Sequence, residues 1–236
     1  MAMTKLLLVD GDITLKYMIK TELEDMIGGY KVITAGNGIE GLKAWREKQP
    51  DIIVCETELP GMSGYDMVTE IRKTDAKTLI LFASTKGSPK DVLIGYESGI
   101  DNYMKKPFIP EELDVHLRAL NKLRGTDHRL RDEVSARKPG RYILDMENCI
   151  LKNMKYGDVV FTTREAQIFR TLWEHVNEVV KREDLLKLFW DTKGDLRCAS
   201  RSLDVFIAKL RKKLIDPNLQ IKTTRNVGIS LLFNFR

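Results

Sequence analysis

"DIIVCETELPGMSGYD", residues Asp51 to Asp66, joins a short apolar run to a turn in the first half of the chain. Its apolar run, residues 52–55, stops on Glu56 and is soon followed by the turn pair Pro60-Gly61. A short uninterrupted apolar run bounded by turn residues is typical of a strand that is buried on both faces. The stretch therefore predicts a buried strand that ends on a carboxylate.

Other apolar runs in the first half follow the same pattern. They read "KLLLVD", "YKVITA", "TLILFAS" and "NYMKK", and segments with helical periodicity separate them. This βα alternation predicts an α/β fold with a five-stranded, doubly wound parallel sheet, which binds ligands outside the carboxyl ends of its strands. Four runs place a polar residue at that edge: Asp10, Glu56, Ser84 and Lys106. We expect them to converge on a crevice suited to an ion or a phosphoryl group.

Length and composition fit one large or two small packed domains, because 236 residues are 43% hydrophobic. No apolar stretch approaches the roughly 20 residues that span a bilayer, and the start of the chain lacks a signal-peptide core. We therefore expect a cytoplasmic protein with no membrane partner. The spacing of the three cysteines and three histidines fits neither a disulfide framework nor a zinc site. We therefore expect no metal or other cofactor.

Charge divides the chain unevenly. Residues 1–120 hold 15 Lys and Arg against 19 Asp and Glu, a net charge of −4, whereas residues 121–236 hold 24 against 15, a net charge of +9. A charged stretch with Gly125 and Pro139-Gly140 lies near the boundary, which predicts an interdomain linker. We therefore divide the chain into a domain over 1–123, a linker over 124–140 and a basic, polyanion-binding domain over 141–236.

The motifs "LLLVDGD", "LPGMSG" after Glu56, "FASTKG" and "GIDNYMKKPF" occur in that order. Over residues 4–123 the chain resembles the receiver domain of two-component response regulators, which has a flavodoxin-like fold. The resemblance implies a phosphoacceptor position at Glu56, Mg²⁺ ligands around Asp10, phosphoryl contacts from Ser84 and Lys106, and an aromatic switch at Tyr103. It also implies a cis peptide between Lys106 and Pro107.

Two departures from the receiver pattern affect its chemistry. Glu56 stands in place of the phosphoacceptor Asp, and its extra methylene moves the carboxylate by about 1.5 Å, which is too far for a normal in-line transfer. Gly11 replaces a direct Mg²⁺ ligand, so with Asp12 alone beside Asp10 we expect Mg²⁺ binding to be weak or absent. These departures predict regulation without phosphorylation and without a histidine kinase as partner. Glu56 either mimics the phosphorylated state or is a relic in a static ion pair.

The resemblance also implies a homodimer through the fourth and fifth helices and the last strand of the receiver. Val92, Asn102 and His116 stand there in place of the usual charged partners. We expect a dimer whose contact is more apolar and depends less on charge.

In the basic half, "RYILDMENCILKN" and "GDVVFT" predict short strands, and "TTRE" predicts a capping box that starts a helix at Thr162. "REDLLKLFW" predicts a second helix. A third is predicted from about Ser200, with a buried stripe of Leu203, Ile207, Leu210 and Leu214. A hairpin should follow around "RNVG", with left-handed backbone at Asn226 and Gly228. Together these elements form an α+β winged helix-turn-helix domain.

"RSLDVFIAKLRKKL" and "IKTTRNVG" resemble the recognition helix and wing of the OmpR/PhoB class of transcription factors. The resemblance implies double-stranded DNA as partner, with the third helix in the major groove and the wing in the minor groove. RNA polymerase is a candidate partner through the loop between the second and third helices. The resemblance places Arg201 and Ser202 at phosphates, and Val205, Lys209 and Arg211 at or near base edges. It places Arg225 in the minor groove, with Thr223 supporting it from the strand. Lys212 lies on the basic outer face of the helix. Trp190 either reaches a phosphate or packs under the following loop.

We therefore expect a sequence-specific DNA-binding transcriptional regulator that is not an enzyme and works independently of phosphorylation. One alternative is a conventional phospho-switch driven by a kinase. It would be favoured by an Asp at position 56 and a full acidic cluster. Another is an Mg²⁺-dependent hydrolase on the same fold, which would leave the basic half without a role.

Overall fold

A computed structural model of the chain describes residues 3–125, 142–153, 155–190, 196–225 and 227–234. Contacts between Cα atoms divide the chain into two compact units, Met1–Lys122 and Leu123–Arg236. The predicted linker covers residues 124–140, and its residues from 126 onward lie outside the described ranges. Its bounds therefore stay a prediction. Within the described part of the chain, no helix is both long and apolar enough to cross a membrane.

The first unit contains a five-stranded parallel sheet in the order β2-β1-β3-β4-β5, as the apolar runs predict. Every residue of β3 and β4 is buried, which explains why their sequences are apolar without alternation. The strands are β1 Thr4–Val9, β2 Tyr30–Ala35, β3 Ile52–Cys55, β4 Leu79–Ser84 and β5 Asn102–Lys105.

Helices connect these strands, and several begin at a side-chain cap. Asp12, Asn37, Ser63 and Ser88 each accept a hydrogen bond from the backbone N–H three residues on. The peptide between Lys106 and Pro107 is cis, as predicted. The helices are α1 Ile13–Thr21, which continues as a π-helical segment over Glu22–Ile27, then α2 Gly38–Lys48, α3 Gly64–Arg72, α4 Pro89–Ser98 and α5 Pro110–Gly125.

The second unit has the winged helix-turn-helix arrangement predicted for the basic half. One antiparallel sheet has the order β6-β7-β8, and the wing strands form the other in the order β10-β11-β9. The strands are β6 Tyr142–Asp145, β7 Ile150–Asn153, β8 Val159–Val160, β9 Val179–Lys181, β10 Leu219–Thr224 and β11 Gly228–Phe233. The helices are α6 Thr163–Glu174, α7 Arg182–Phe189 and α8 Leu196–Lys213.

The predicted capping box is present, because Thr162 and Glu165 each accept a hydrogen bond from the other's backbone N–H. On α8, Leu203, Ile207 and Leu210 are all buried, as the predicted stripe requires. Leu214, the fourth residue of that stripe, is half-buried and follows the end of the helix.

Two details of the predicted helix and wing are wrong. Helix α8 begins at Leu196 instead of near Ser200, so Arg201 lies in its second turn. Gly228 has no positive φ; it is needed because a Cβ there would lie 2.2 Å from the carbonyl oxygen of Val180 on the paired strand β9. Asn226 lies outside the described residues.

Candidate functional site

The parallel sheet brings the four expected polar residues to one crevice at the carboxyl ends of its strands. Asp10, Glu56 and Lys106 follow β1, β3 and β5, and Ser84 is the last residue of β4. Asp10 is 4% exposed, Glu56 8% and Ser84 0%, so the crevice holds charged and polar groups that are largely removed from water. Such groups require partners inside the protein.

Lys106 bridges the two carboxylates of the crevice. Its Nζ lies 2.5 Å from Oδ2 of Asp10 and 2.8 Å from Oε2 of Glu56. Burial alone would lower the pKa of Lys106, but the hydrogen bonds to Asp10 and Glu56 outweigh it and raise the pKa. Lys106 is therefore an ammonium ion that is shared by two acids.

The second oxygen of Glu56 is held by the residue that follows it. Oε1 accepts a hydrogen bond of 2.7 Å from the backbone N–H of Thr57 and one of 3.1 Å from the Thr57 hydroxyl. Burial alone would raise the pKa of Glu56, but the hydrogen bond and positive charge of Lys106 and the hydrogen bond from the Thr57 N–H lower it. Glu56 is thus an ionised carboxylate with protein partners on both oxygens.

Tyr103 is connected to the crevice through the loop after β4. Its hydroxyl donates to the carbonyl oxygen of Lys86 at 2.6 Å, and its ring meets the ring of Phe82 edge-on at 6.1 Å. The backbone N–H of Lys86 in turn donates to Oγ of Ser84 at 3.2 Å. An exposed ion pair between Lys86 and Glu58, at 2.6 Å, also joins the loops that follow β4 and β3.

The acidic residues at the start of α1 do not form a set that fits Mg²⁺. Asp12 is exposed and caps the helix by accepting from the N–H of Leu15 at 3.0 Å. Asp10 is engaged by Lys106 through one oxygen and by the N–H of Asp12, at 2.9 Å, through the other. A Cβ added at Gly11 would meet no atom within 4 Å, so the backbone there accepts a side chain without a clash at that atom. In the described ranges no cluster of three or more His, Cys, Asp or Glu residues is suited to a metal ion.

The residues expected at the dimer face are all half-buried in the single chain. Asn102 on β5 and His116 on α5 contact each other, with 3.1 Å between Nδ2 and Nδ1. The amide oxygen of Asn102 also accepts from the N–H of Tyr103 at 2.8 Å. Val92 lies on α4. Two of the three residues are therefore tied to one another across β5 and α5, and the dimer itself stays a prediction.

On α8 and the wing, some of the expected DNA contacts are accessible and some are not. Arg201, Lys212, Thr223 and Arg225 are exposed, and Lys209 is partly exposed. By contrast, Ser202 is 2% exposed and Val205 9%. Both side chains are largely enclosed by the domain, and their expected contacts with a phosphate and a base edge stay a prediction.

Arg211 contacts the wing strand β10. Its Nε donates to the carbonyl oxygen of Ile221 at 2.9 Å, and its Nη2 donates to Oγ1 of Thr223 at 2.7 Å. The guanidinium therefore ties the end of α8 to wing strand β10, and its contact with base edges stays a prediction. Thr223 contacts Arg211, and its expected support of Arg225 also stays a prediction.

For Trp190 the structure favours the packing alternative. The residue is 8% exposed, and its ring packs against Phe206 at a centroid distance of 6.0 Å. The buried guanidinium of Arg164 lies 4.8 Å from the centre of the same ring, and the Arg164 side chain donates to the carbonyl oxygen of Phe189. Trp190 thus anchors the end of α7.

Sequence reasoning missed Arg182, at the start of α7. Its Nε donates to the Ser200 hydroxyl at 3.0 Å, and its Nη1 lies 2.8 Å from Oδ1 of Asp204, so it binds α7 to α8. The signal was only a basic residue among several, with no spacing that distinguishes it. Beside these contacts lies a cavity of about 1070 Å³, whose walls include the cationic residues Lys181, Arg182, Arg201 and Arg225.

Comparisons with known proteins identify two families in the chain. The family described as "Response regulator receiver domain" matches residues 6–118, and "Transcriptional regulatory protein, C terminal" matches residues 157–231. Transcriptional regulatory protein AfsQ1 of Streptomyces coelicolor is 34% identical, over 97% of this chain and 98% of its own length. The alkaline phosphatase synthesis transcriptional regulatory protein PhoP of Bacillus subtilis is 30% identical, over 96% of both chains.

Solved structures are similar over nearly the whole chain. DrrB of Thermotoga maritima, described as an OmpR/PhoB homologue, is 26% identical with a TM-score of 0.51, over 98% of this chain and 99% of its own. A cysteine-to-serine variant of RitR has a TM-score of 0.76, over 98% and 100%, and at 22% identity it supports the fold alone. From the matched families and the relatives, the chain belongs to the OmpR/PhoB-type response regulators, which join a receiver to a winged helix-turn-helix DNA-binding domain.

Proposed function

We propose that this response regulator binds its DNA sites and regulates transcription without receiving a phosphoryl group. The observation that carries the proposal is the contact between Glu56 and Lys106, with 2.8 Å between Oε2 and Nζ. A negative charge at the phosphoacceptor position is already paired with the ammonium that, in the family, contacts the phosphoryl oxygens.

The surroundings of Glu56 support the same proposal. A carboxylate that attacks a phosphoryl donor needs a free oxygen in line with it, whereas both oxygens of Glu56 accept hydrogen bonds from Thr57 or pair with Lys106. Gly11 removes one Mg²⁺ ligand, and the charge of a transferring phosphoryl group requires such a metal ion. A kinase-driven switch would lack both its nucleophile and its metal.

For the output, we propose that the exposed basic residues of α8 and the wing bind double-stranded DNA. Arg201 and Lys212 are exposed on α8, and Arg225 is exposed beside the wing strand β10. Positive charge on such a face contributes sequence-independent affinity, and the few residues that reach base edges contribute specificity. A receiver homodimer would place two such domains on neighbouring half-sites, and RNA polymerase would be the partner of the bound protein. Because the target is DNA, we place this activity in the cytoplasm.

DNase footprinting with and without acetyl phosphate and Mg²⁺ tests the proposal. The footprint and the protein concentration that produces it should be the same in both conditions. A footprint that extends or strengthens with acetyl phosphate would reject phosphorylation independence.

Whether Glu56 mimics phosphate or is a relic is decided by Glu56→Ala, measured by sedimentation and by DNA titration. Weaker self-association and weaker DNA binding support the mimic, because the charge at this position would then hold the active arrangement. Unchanged association supports the relic. Glu56→Gln is the matched control, since it keeps the size of the side chain and removes only its charge.

A further inference from the structure

Thr57 is a buried polar residue for which the sequence analysis assigned no role. It directly follows Glu56 and is 1% exposed. Its hydroxyl oxygen lies 3.1 Å from Oε1 of Glu56 and 2.6 Å from Oγ of Ser84. The hydroxyl therefore bridges the phosphoacceptor position and the residue that, in the family, contacts a phosphoryl oxygen.

The chemistry of the partners fixes the direction of these hydrogen bonds. An ionised Glu56 can only accept, so the Thr57 hydroxyl donates to it. The Thr57 hydroxyl has one hydrogen, which is used on Glu56, so in the 2.6 Å contact Thr57 accepts and the Ser84 hydroxyl donates. Oγ of Ser84 in turn accepts from the N–H of Lys86. A directed chain thus runs from the Lys86 amide through Ser84 and Thr57 to the Glu56 carboxylate.

The far end of this chain reaches Tyr103. The carbonyl oxygen of Lys86 accepts a hydrogen bond from the Tyr103 hydroxyl at 2.6 Å, and the N–H of Lys86 donates to Oγ of Ser84. Lys86 is therefore bonded to both Ser84 and Tyr103. Hydrogen bonds in such a chain polarise one another, and those that end on a charge are the strongest. The charge of Glu56 can therefore influence the loop that positions Tyr103.

We propose that Thr57 is a positioning residue that couples the Glu56 carboxylate, through Ser84, to the loop after β4 and to Tyr103. The inference rests on the proposed function, since it explains how a permanent carboxylate sets the aromatic switch without a phosphoryl group. A hydroxyl is required at position 57, because an apolar side chain of the same shape would break the chain at its middle. The neighbouring backbone bond from the Thr57 N–H to Glu56, at 2.7 Å, would remain.

Two substitutions in the full-length protein separate the hydroxyl from the shape of the side chain. Thr57→Val is nearly isosteric and lacks the hydroxyl, whereas Thr57→Ser keeps it. Amide hydrogen exchange at Lys86, measured by NMR without any phosphoryl donor, should be about tenfold faster in Thr57→Val and within about twofold of wild type in Thr57→Ser. Equal exchange in Thr57→Val and wild type would overturn the proposal. Thr57→Ala takes the place of Thr57→Val if the latter does not fold.

A double-mutant cycle with Ser84→Ala gives a readout that a merely structural role would not produce. If Thr57 acts through Ser84, Thr57→Val should add little to the faster Lys86 exchange that Ser84→Ala already causes. Additive increases would show two independent contacts and overturn the coupling. Because no phosphoryl donor is present, failure of this test is distinct from failure of phosphorylation independence, which is judged by the response to a phosphate analogue.

Discussion

The ammonium of Lys106 lies 2.8 Å from Oε2 of Glu56, in a crevice where both side chains are largely buried. Asp10 is the second acid on the same ammonium, at 2.5 Å. The charge of Lys106 is therefore neutralised by two carboxylates of the same crevice.

Loss of Lys106 should be much more costly than loss of the charge on Glu56. Lys106→Met leaves two buried carboxylates facing each other without their cation, which should lower the free energy of unfolding of the receiver by about 3 to 5 kcal/mol. Glu56→Gln leaves the Lys106–Asp10 pair intact and should cost about 1 kcal/mol. Amide exchange of the buried strands β3 and β4 measures both values. Equal costs would show that Lys106 is not the shared partner.

The crevice should also make stability depend on acid pH. The pKa of Glu56 is lowered in the folded protein, because the hydrogen bond and charge of Lys106 and the hydrogen bond from the Thr57 N–H outweigh burial. Its contribution is therefore fully present above its unfolded pKa of about 4.3 and is lost as pH falls through the folded value. We expect wild type to lose more stability than Glu56→Gln between about pH 5 and pH 3, as measured by urea unfolding. Parallel pH profiles would contradict this assignment.

Arg211 and Thr223 should act as one unit in DNA binding. Their contact, 2.7 Å between Nη2 and Oγ1, joins α8 to the wing strand β10. Arg211→Ala and Thr223→Val should each weaken binding to the preferred site by about threefold to tenfold, and the double variant should be no weaker than Arg211→Ala alone. Titrations of all three proteins against one duplex test this. If the losses add, Arg211 contacts DNA directly.

Arg201→Ala and Lys209→Ala should weaken DNA binding in different ways. Arg201 is exposed and lines the cavity whose walls include Lys181, Arg182 and Arg225. Arg201→Ala should therefore weaken binding to specific and scrambled duplexes about equally. It should also reduce the slope of log affinity against log salt concentration by about one unit. Lys209→Ala should cost about 1 to 3 kcal/mol on the preferred site and much less on scrambled DNA. Titrations of both duplexes at several salt concentrations distinguish the two. Equal losses on both duplexes for Lys209→Ala would make that residue a phosphate contact.

Local sequence patterns predicted the strands, the helices and the members of the crevice. Ile52 and its apolar neighbours had to form a buried strand, and in a parallel sheet the polar residues that follow such strands must meet at one edge. The Thr162–Glu165 capping box likewise depends only on residues three apart. Features of this kind are encoded within a single element, so they can be predicted from one sequence.

Contacts between elements were not predictable in the same way. Ser202 and Val205 are buried as well as Leu203 and Ile207, so the buried face of α8 is wider than the predicted stripe. The contact of Arg211 with wing strand β10 likewise depends on where that strand lies, which the spacing along α8 does not indicate. Thr57 followed a strand as one hydroxyl residue among many, and its role depends on where Ser84 lies.

The most direct test of phosphorylation independence compares wild type with a variant in which the receiver chemistry is restored. The double substitution Gly11→Asp and Glu56→Asp adds a carboxylate at position 11, where a Cβ meets no atom within 4 Å, and shortens the carboxylate at position 56. DNA affinity and sedimentation are measured for both proteins with Mg²⁺, with and without beryllofluoride. We predict that wild type is unchanged, whereas the restored variant shifts toward the dimer and binds DNA more tightly. A shift of wild type toward the dimer on addition of beryllofluoride would contradict the account.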